Sequence, residues 1–469
     1  MQRQRKLLRL TRRTVLMTNS IRRLLAAAAA GVMLLISVVP VSTVFAVDDT
    51  MQMEDEELTD GTFTYELVNG SYTIKSCDTT AIFKEIPELR NGYAVTAIGE
   101  QAFTGCTMIT ELKIPDTVKN IGDNAFAGCS SLKKVTLPKN LKSLPLGAFL
   151  NCQKLEEVNM PDGLISIGNY AFYGCSALKS LKLPSSLGEI GAMAMAECSS
   201  LEKIDASAPD AFTDDGGILY DKGKTRIYRA STALDGSVYI ENTVKEIAPG
   251  AFSMCTGITD VYIPSSVTDI KEDAFGYCTG LKNVDFSEGL STVGDIAFKF
   301  CTALGSVEFP TTLRSIGDGA FFQCKELSSA IIPEGTESVG EGAFVACPKL
   351  TRVGVPSTVT SLGEHAFGFI VDDSGEDYTH TPDFKMSVYS GSAALSYAKS
   401  SKLGYDVVDR DLKKVAFAAI AVGLVLAAIV FAAVLMKRGR KSADSAVRKA
   451  DREAAEKAED ESYEKIVKD

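Results

Sequence analysis

The sequence predicts a right-handed, β-rich α/β solenoid with 23-residue coils, one inserted hairpin and one transmembrane helix. Three observations lead to it. Ten of the eleven cysteines keep one period: Cys106, Cys129, Cys152, Cys175 and Cys198 are 23 residues apart, and Cys255, Cys278, Cys301, Cys324 and Cys347 resume the spacing. Apolar residues recur in fixed columns around each cysteine. Near the end, Val415 to Met436 is a run of 22 residues without a charge. A fixed period of about 20 to 50 residues marks stacked coils, none of which can bury its apolar face alone.

The first half of each coil reads L-x-x-V-x-I-P. Leu132, Val135, Leu137 and Pro138 show it, as do Leu178, Leu181, Leu183 and Pro184. The alternation predicts a short parallel strand near Leu132 to Leu137 and its equivalents. Proline lacks an amide hydrogen and stops the ladder at the same rung each time. The second half reads V-x-x-I-G-x-x-A-F-x-x-C, as in Val118 to Cys129. Its glycine (Gly122, Gly168, Gly317, Gly363) suits a corner that needs positive φ or close backbone approach. The Ala-Phe pair recurs eleven times, once as Ala194-Met195. Phe126, Phe149, Phe172, Phe275, Phe298, Phe321 and Phe344 are expected to stack as an interior ladder.

Each coil offers one cysteine in the same orientation. Stacked coils lie about 5 Å apart, which keeps parallel Cβ atoms too distant for the roughly 3.8 Å of a disulfide. The ten are expected to be reduced and buried, acting as small hydrophobes. No C-x-x-C and no nearby histidine points to a metal.

These columns resemble the BspA-like branch of bacterial leucine-rich repeats, in nearly every coil from Ile98 to Phe367. The resemblance implies a curved solenoid on a cell surface, used for adhesion to host proteins or other cells. It brings no shared catalytic residues to carry over, and the residues themselves point to no cofactor.

The departures divide the chain. The gap between Cys198 and Cys255 is 57 residues, two periods plus 11. Within it, Gly217 to Arg229 has two alternating runs flanking a Lys-Gly turn, a β-hairpin. It resembles the family's hairpin islands, and reads either as a tolerated insertion or as a binding protrusion. The expected organisation is 1–46 signal peptide, 47–60 acidic leader, 61–97 N-terminal cap, 98–204 repeats, 205–247 island and 248–370 repeats. An acidic loop at 371–383, a C-terminal cap at 384–410, the membrane helix at 415–436 and a tail at 437–469 follow.

The ends set the expected compartment. Eight basic and no acidic residues precede the apolar run Leu24 to Val39, and Val44-Phe45-Ala46 fits a cleavage signal. A general secretory route, a twin-arginine route from Arg12-Arg13 or Arg22-Arg23, and an uncleaved anchor all stay open. Val415 to Met436 is long enough to cross a bilayer, and Lys437-Arg438-Gly439-Arg440-Lys441 after it would stay cytoplasmic. The expected location is thus the cell membrane, with the repeats outside and the C-terminus inside. Residues 47–436 hold 31 basic and 51 acidic residues, a formal charge of −20. That balance argues against nucleic acid and against docking on anionic lipid. Asp372, Asp373, Glu376 and Asp377 lack the regular oxygen spacing of a calcium loop and read as solvated.

No catalytic constellation appears. Only His365 and His380 are present, and His365 falls in a variable column expected at the surface. Ser131–Lys134, Ser176–Lys179, Ser200–Lys203 and Ser396–Lys399 match S-x-x-K, but three of the four arise from the repeat and no partner motif accompanies them. Binding is left to exposed strand positions. The column Lys113, Thr136, Asn159, Lys182, Asp205, Tyr262, Asp285, Glu308, Ile331, Gly354 turns acidic in its later half, with Tyr262 and Ile331 apolar. Aromatic anchors among polar rim groups are what interfaces need. The candidate partner-binding residues are Tyr262, Asp285, Glu308 and Ile331, with Tyr220 and Tyr228 of the hairpin as the second choice. The sequence thus reads as a surface protein that binds an extracellular protein or cell-surface ligand. The alternative is a transmembrane sensor or envelope assembly factor that signals through its tail.

Overall fold

The structure, a computed structural model, describes residues 59–372 and 377–408. The leader, the acidic stretch before Thr59, the Val415–Met436 run and the tail lie outside the described residues.

Most coils contribute a three-residue strand from their L-x-x-V-x-I half, such as Lys134–Thr136 and Glu157–Asn159. Successive strands pair in parallel, with partners one period apart: Glu111 with Lys134, then Lys134 with Glu157. Proline then opens a turn. Its carbonyl accepts from the amide three residues on, as from Leu141 to Pro138 at 3.1 Å. A second parallel sheet follows that the sequence reading missed. It is built from two-residue strands at the V-x-x-I half, such as Ser143–Leu144, Ser166–Ile167 and Glu189–Ile190. Two residues are too few for alternation to show.

The backbone pairs again at the Ala-Phe corner. The amides of Ile296, Phe298 and Phe300 donate to the carbonyls of Asp318, Ala320 and Phe322 at 2.7, 2.7 and 2.8 Å. The corner needs two left-handed residues per coil, and neither is the repeat glycine. One occupies the variable column that includes Asn124, Tyr170, Asp273, Ile296 and His365, with φ between 50° and 57°. The other stands just before the cysteine, as in Asn151, Glu197, Tyr277 and Phe300, with φ between 55° and 59°. The repeat glycine answers to close approach instead. A Cβ on Gly122 would lie 2.4 Å from the Glu100 amide nitrogen, and one on Gly317 2.5 Å from that of Asp295.

Inside, the phenylalanines stack. Ring centroids are 5.3 Å apart for Phe126 and Phe149, 5.1 Å for Phe275 and Phe298, and 5.2 Å for Phe298 and Phe321. All ten periodic cysteines are free and buried. Their thiols also donate between coils: Cys129 to the Phe103 carbonyl and Cys324 to that of Phe298, both at 3.2 Å. Burial pushes the Cys198 thiol up to about 11, which keeps it protonated.

The fold expectation needs two corrections. The coils carry no helix, so this is a β-solenoid of about 14 turns rather than an α/β one. The corner turns are too tight and too short to close a helical hydrogen-bond ladder. The expected transmembrane helix does not appear either: among the described residues, which do not include Val415–Met436, no helix is long and apolar enough to cross a membrane. The helix Ala393–Ser400 has eight residues, about 12 Å, against a hydrocarbon core of about 30 Å. It begins on a Ser392 cap, and Tyr397 closes the end of the phenylalanine ladder. The Tyr397 hydroxyl donates to the Phe367 carbonyl and accepts from its amide.

The 57-residue gap holds three antiparallel strands rather than two: Phe212–Asp215, Ile218–Asp221 and Arg226–Ala230. The last continues into the second sheet beside Glu246–Ile247. The strands form a partition. Phe212 and Leu219 pack into the core of the earlier coils, while Ile218, Tyr220 and Ile227 pack into that of the later coils. Arg229, 1% exposed, stitches the seam by donating to the carbonyls of Ser253 at 2.7 Å, Gly250 at 3.0 Å and Cys198 at 3.5 Å. His365 is half-buried rather than at the surface, and its ring stacks on Tyr378 at 4.0 Å.

One acidic residue per later coil, Glu272, Asp295, Asp318, Glu341 and Glu364, follows the second sheet, and the last four line a groove of about 420 Å³. Asp295 and Asp318 accept the amides of Asp318 and Glu341 at 2.9 and 2.7 Å, so the run is in part a capping ladder. Burial, then the charges of Asp295 and Asp273, push the Glu272 carboxyl up to about 7. Among the described residues no His, Cys, Asp and Glu group could hold a metal ion.

Two outcomes follow. Phe298→Ala is expected to lower stability by roughly 3 to 5 kcal/mol in denaturant unfolding, as for other buried aromatics. A change below about 1 kcal/mol would show that the stacked rings are not the core. Glu272 binds its proton more tightly folded than unfolded. Its contribution is therefore full below its unfolded value of 4.5 and is lost as pH rises through about 7. Glu272→Gln should raise stability at pH 8 by roughly 1 to 2 kcal/mol and flatten the slope between pH 5 and 8, read from thermal melts.

Candidate binding face

The first sheet carries the candidate site because its outward side chains stand one per coil in fixed register. The strand Gly236–Tyr239 pairs in parallel with Ile258–Ile263, which pairs with Asn283–Phe286. This register aligns Tyr239, Tyr262 and Asp285 on successive rungs. The Tyr239 and Tyr262 rings stack with centroids 4.3 Å apart and planes at 1°. Tyr239 is 68% exposed, the largest exposed aromatic surface on this face. Farther along, Glu308, Ile331 and Gly354 share a row in the next strands.

The neighbouring outward row fixes this surface. Asp260, 8% exposed, accepts from Asn283 Nδ2 at 2.7 Å, Thr259 Oγ1 at 2.8 Å and Ser237 Oγ at 3.3 Å. These bonds tie the three strands that carry the tyrosines and Asp285. The early coils differ in electrostatics. There Lys134 pairs with Glu157 at 2.8 Å and Lys113 with Glu85 at 3.5 Å. Asp285 and Glu308 are exposed and form no ion pair among the described residues. The later face thus combines stacked aromatics with uncompensated negative charge.

Of the residues singled out from sequence, Tyr262 is half-buried under Tyr239, Asp285 and Glu308 are exposed, and Ile331 is half-buried. These four share one face. The hairpin tyrosines do not join them. Tyr220 is 3% exposed in the later core, and Tyr228 packs edge-on against Phe212 at 5.2 Å. Sequence reasoning missed Tyr239, which hides in the 57-residue gap. The signal was present: Tyr239 stands one period before Tyr262, and Val238 and Ile240 keep the repeat's apolar pattern.

The comparisons with known proteins agree with this architecture. No curated protein matches the chain. A leucine-rich cell surface protein from Faecalibacterium prausnitzii is 25% identical with a TM-score of 0.50, over 68% of this chain and 96% of its own. A leucine-rich repeat protein from Eubacterium ventriosum is 22% identical, TM-score 0.51, over 68% and 93%. The pneumococcal vaccine antigen PcpA is 18% identical, TM-score 0.53, over 75% and 98%. The last two share the fold alone. The BspA type leucine rich repeat region matches in six copies across residues 94–213 and 238–370, more than half of the chain. The periodic columns, the stacked coils and that match make this chain a member of the BspA-type leucine-rich-repeat family.

Proposed function

We propose that this chain is a cell-surface binding protein that works in adhesion or protein binding through the first-sheet face of its later coils. The family, which includes bacterial cell surface proteins, suggests protein binding or adhesion by repeats displayed outside the cell. The observation behind the choice of face is the Tyr239–Tyr262 stack, in register with Asp285 and followed by Glu308 and Ile331. Stacked, strand-anchored tyrosines offer contact area at little entropic cost, as interface anchors require. Unpaired carboxylates beside them select a partner with basic residues, and the attraction is screened over a Debye length of about 8 Å at physiological salt.

A screen of matrix proteins and host-cell surfaces against the purified protein identifies the ligand. Tyr239→Ala with Tyr262→Ala should then weaken binding at least about tenfold, which is about 1.4 kcal/mol. Glu308→Lys should slow association and reduce its salt dependence. Unchanged binding in the folded triple variant, for every ligand found, would remove this face from the function.

A further inference from the structure

At the seam between the two cores, three charged side chains meet at the Ala-Phe corner. Lys299 Nζ lies 3.2 Å from Asp273 Oδ1 and 3.1 Å from Glu197 Oε1. Asp273 and Lys299 belong to adjacent coils, and Glu197 comes from the coil before the partition, 102 positions from Lys299. The Asp273 side chain is fully buried, that of Lys299 is 10% exposed and that of Glu197 21%. The Tyr277 ring lies 4.9 Å from Nζ.

The pair is built for contact but not for hydrogen bonding. Nζ lies 3.2 Å from Oδ1, and Lys299 and the buried Ser253 hydroxyl face the Asp273 carboxylate, neither of them in aligned hydrogen-bond geometry among the described residues. Such a fully buried carboxylate is rare in native proteins and calls for a role. The surroundings make room for it. A Cβ on Gly276 would sit 1.8 Å from Asp273 Oδ1 and 3.1 Å from Lys299 Cε, so only glycine admits both side chains. Lys299 is also the one basic residue in its repeat column, where other coils place Thr104, Ala127, Leu150, Ser253 and Phe322.

We propose that Lys299 and Asp273 are joined by an autocatalytic isopeptide bond, with Glu197 as the catalytic acid–base. Glu197 takes one proton from the Lys299 ammonium and passes it to an Asp273 oxygen, leaving a neutral amine beside a neutral carboxylic acid. Nζ attacks Cγ and the Nζ–Cγ bond forms. Glu197 carries a second Nζ proton to the departing hydroxyl, the Cγ–O bond breaks and one water leaves. An ammonium and a carboxylate become an amide and water, Glu197 ends as it began, and no oxidant, reductant or co-reactant is needed. Burial favours the neutral acid, pushing the Asp273 carboxyl up to about 6 against the opposing charge of Lys299; on Lys299 burial acts the other way but is outweighed by the charges of Asp273 and Glu197, which hold its ammonium above the ordinary range, so the first proton transfer is the uphill step. A pocket that holds both the acceptor carboxyl and a general base against Lys299 Nζ supplies the proximity the reaction needs.

The test is a peptide map of the purified full chain, digested in denaturant and read by mass spectrometry. The peptides bearing Lys299 and Asp273 should appear joined, with a mass one water below their sum. Glu197→Gln should leave them separate in a protein that keeps its β-sheet circular dichroism. Separate peptides in the parent, with masses that match the sequence, would overturn the proposal whatever the variant does. A joined pair that persists in Glu197→Gln would overturn the role of Glu197.

Discussion

The structure depends on how closely one coil's backbone lies on the next at the Ala-Phe corner. There, three successive alternate amides donate to the neighbouring coil, as from Ile296, Phe298 and Phe300. That contact leaves no room for a side chain on the repeat glycine, where a Cβ would come within about 2.2 to 2.8 Å of the adjacent backbone. It also forces two left-handed residues into every coil. Ile296 and Phe300 occupy such positions despite the usual cost of about 1 kcal/mol or more for a residue with a Cβ. The hydrogen bonds at those same residues hold the strained conformation, as expected where the surroundings over-determine the backbone. The ring stacks and the thiol-to-carbonyl bonds follow from the same spacing. A ring every 5 Å is in contact with the next, and a thiol there reaches the preceding coil's carbonyl.

The insert interrupts this contact, and its consequences extend across the corner. Its three strands give each core its own face, so the solenoid is two apolar interiors divided by a partition. Carbonyls left at that seam are met by a buried arginine rather than by another coil. Arg229 takes up those of Cys198, Gly250 and Ser253. The corner still closes beside it. A Cβ on Gly250 would fall 2.5 Å from the Ala196 Cβ, so the coils on either side of the partition come within touching distance there. This approach is what brings Glu197 to Lys299.

The repeat was legible because every coil imposes the same demand on the same column. The strands at Lys134–Thr136 and its equivalents, the phenylalanine ladder and the free buried cysteines all follow from columns that are uniform. What the columns hid is what varies. The left-handed positions carry Asn, Tyr, Asp, Ile and His in different coils, so φ is set by the stack and not by residue type. The sequence reading therefore placed positive φ among the reasons for the repeat glycine and put His365 at the surface. The partition was read as a hairpin because Phe212–Asp215 is short and lacks alternation. Tyr239 was lost because the cysteine that would have marked its coil is absent. The Lys299–Asp273–Glu197 group could not be read at all, since its members come from three columns and two sides of the insert.

The candidate face and the seam share the same coils. The coil that presents Tyr262 on its first strand carries Asp273 at its corner, and the coil that presents Asp285 carries Lys299. In a solenoid each coil is held mainly by its neighbours, and the weakest interface is where the stack is interrupted. Here the interruption lies next to the rungs that bear the aromatic pair. A covalent tie between these two coils, both on the later side of the partition, would remove their freedom to separate from one another. It fixes the spacing of Tyr262 and Asp285 before a partner arrives. Order already present in the free protein is not charged against binding, and a partner meets a rigid row of side chains. Such a tie would also resist pulling along the stack between these two coils.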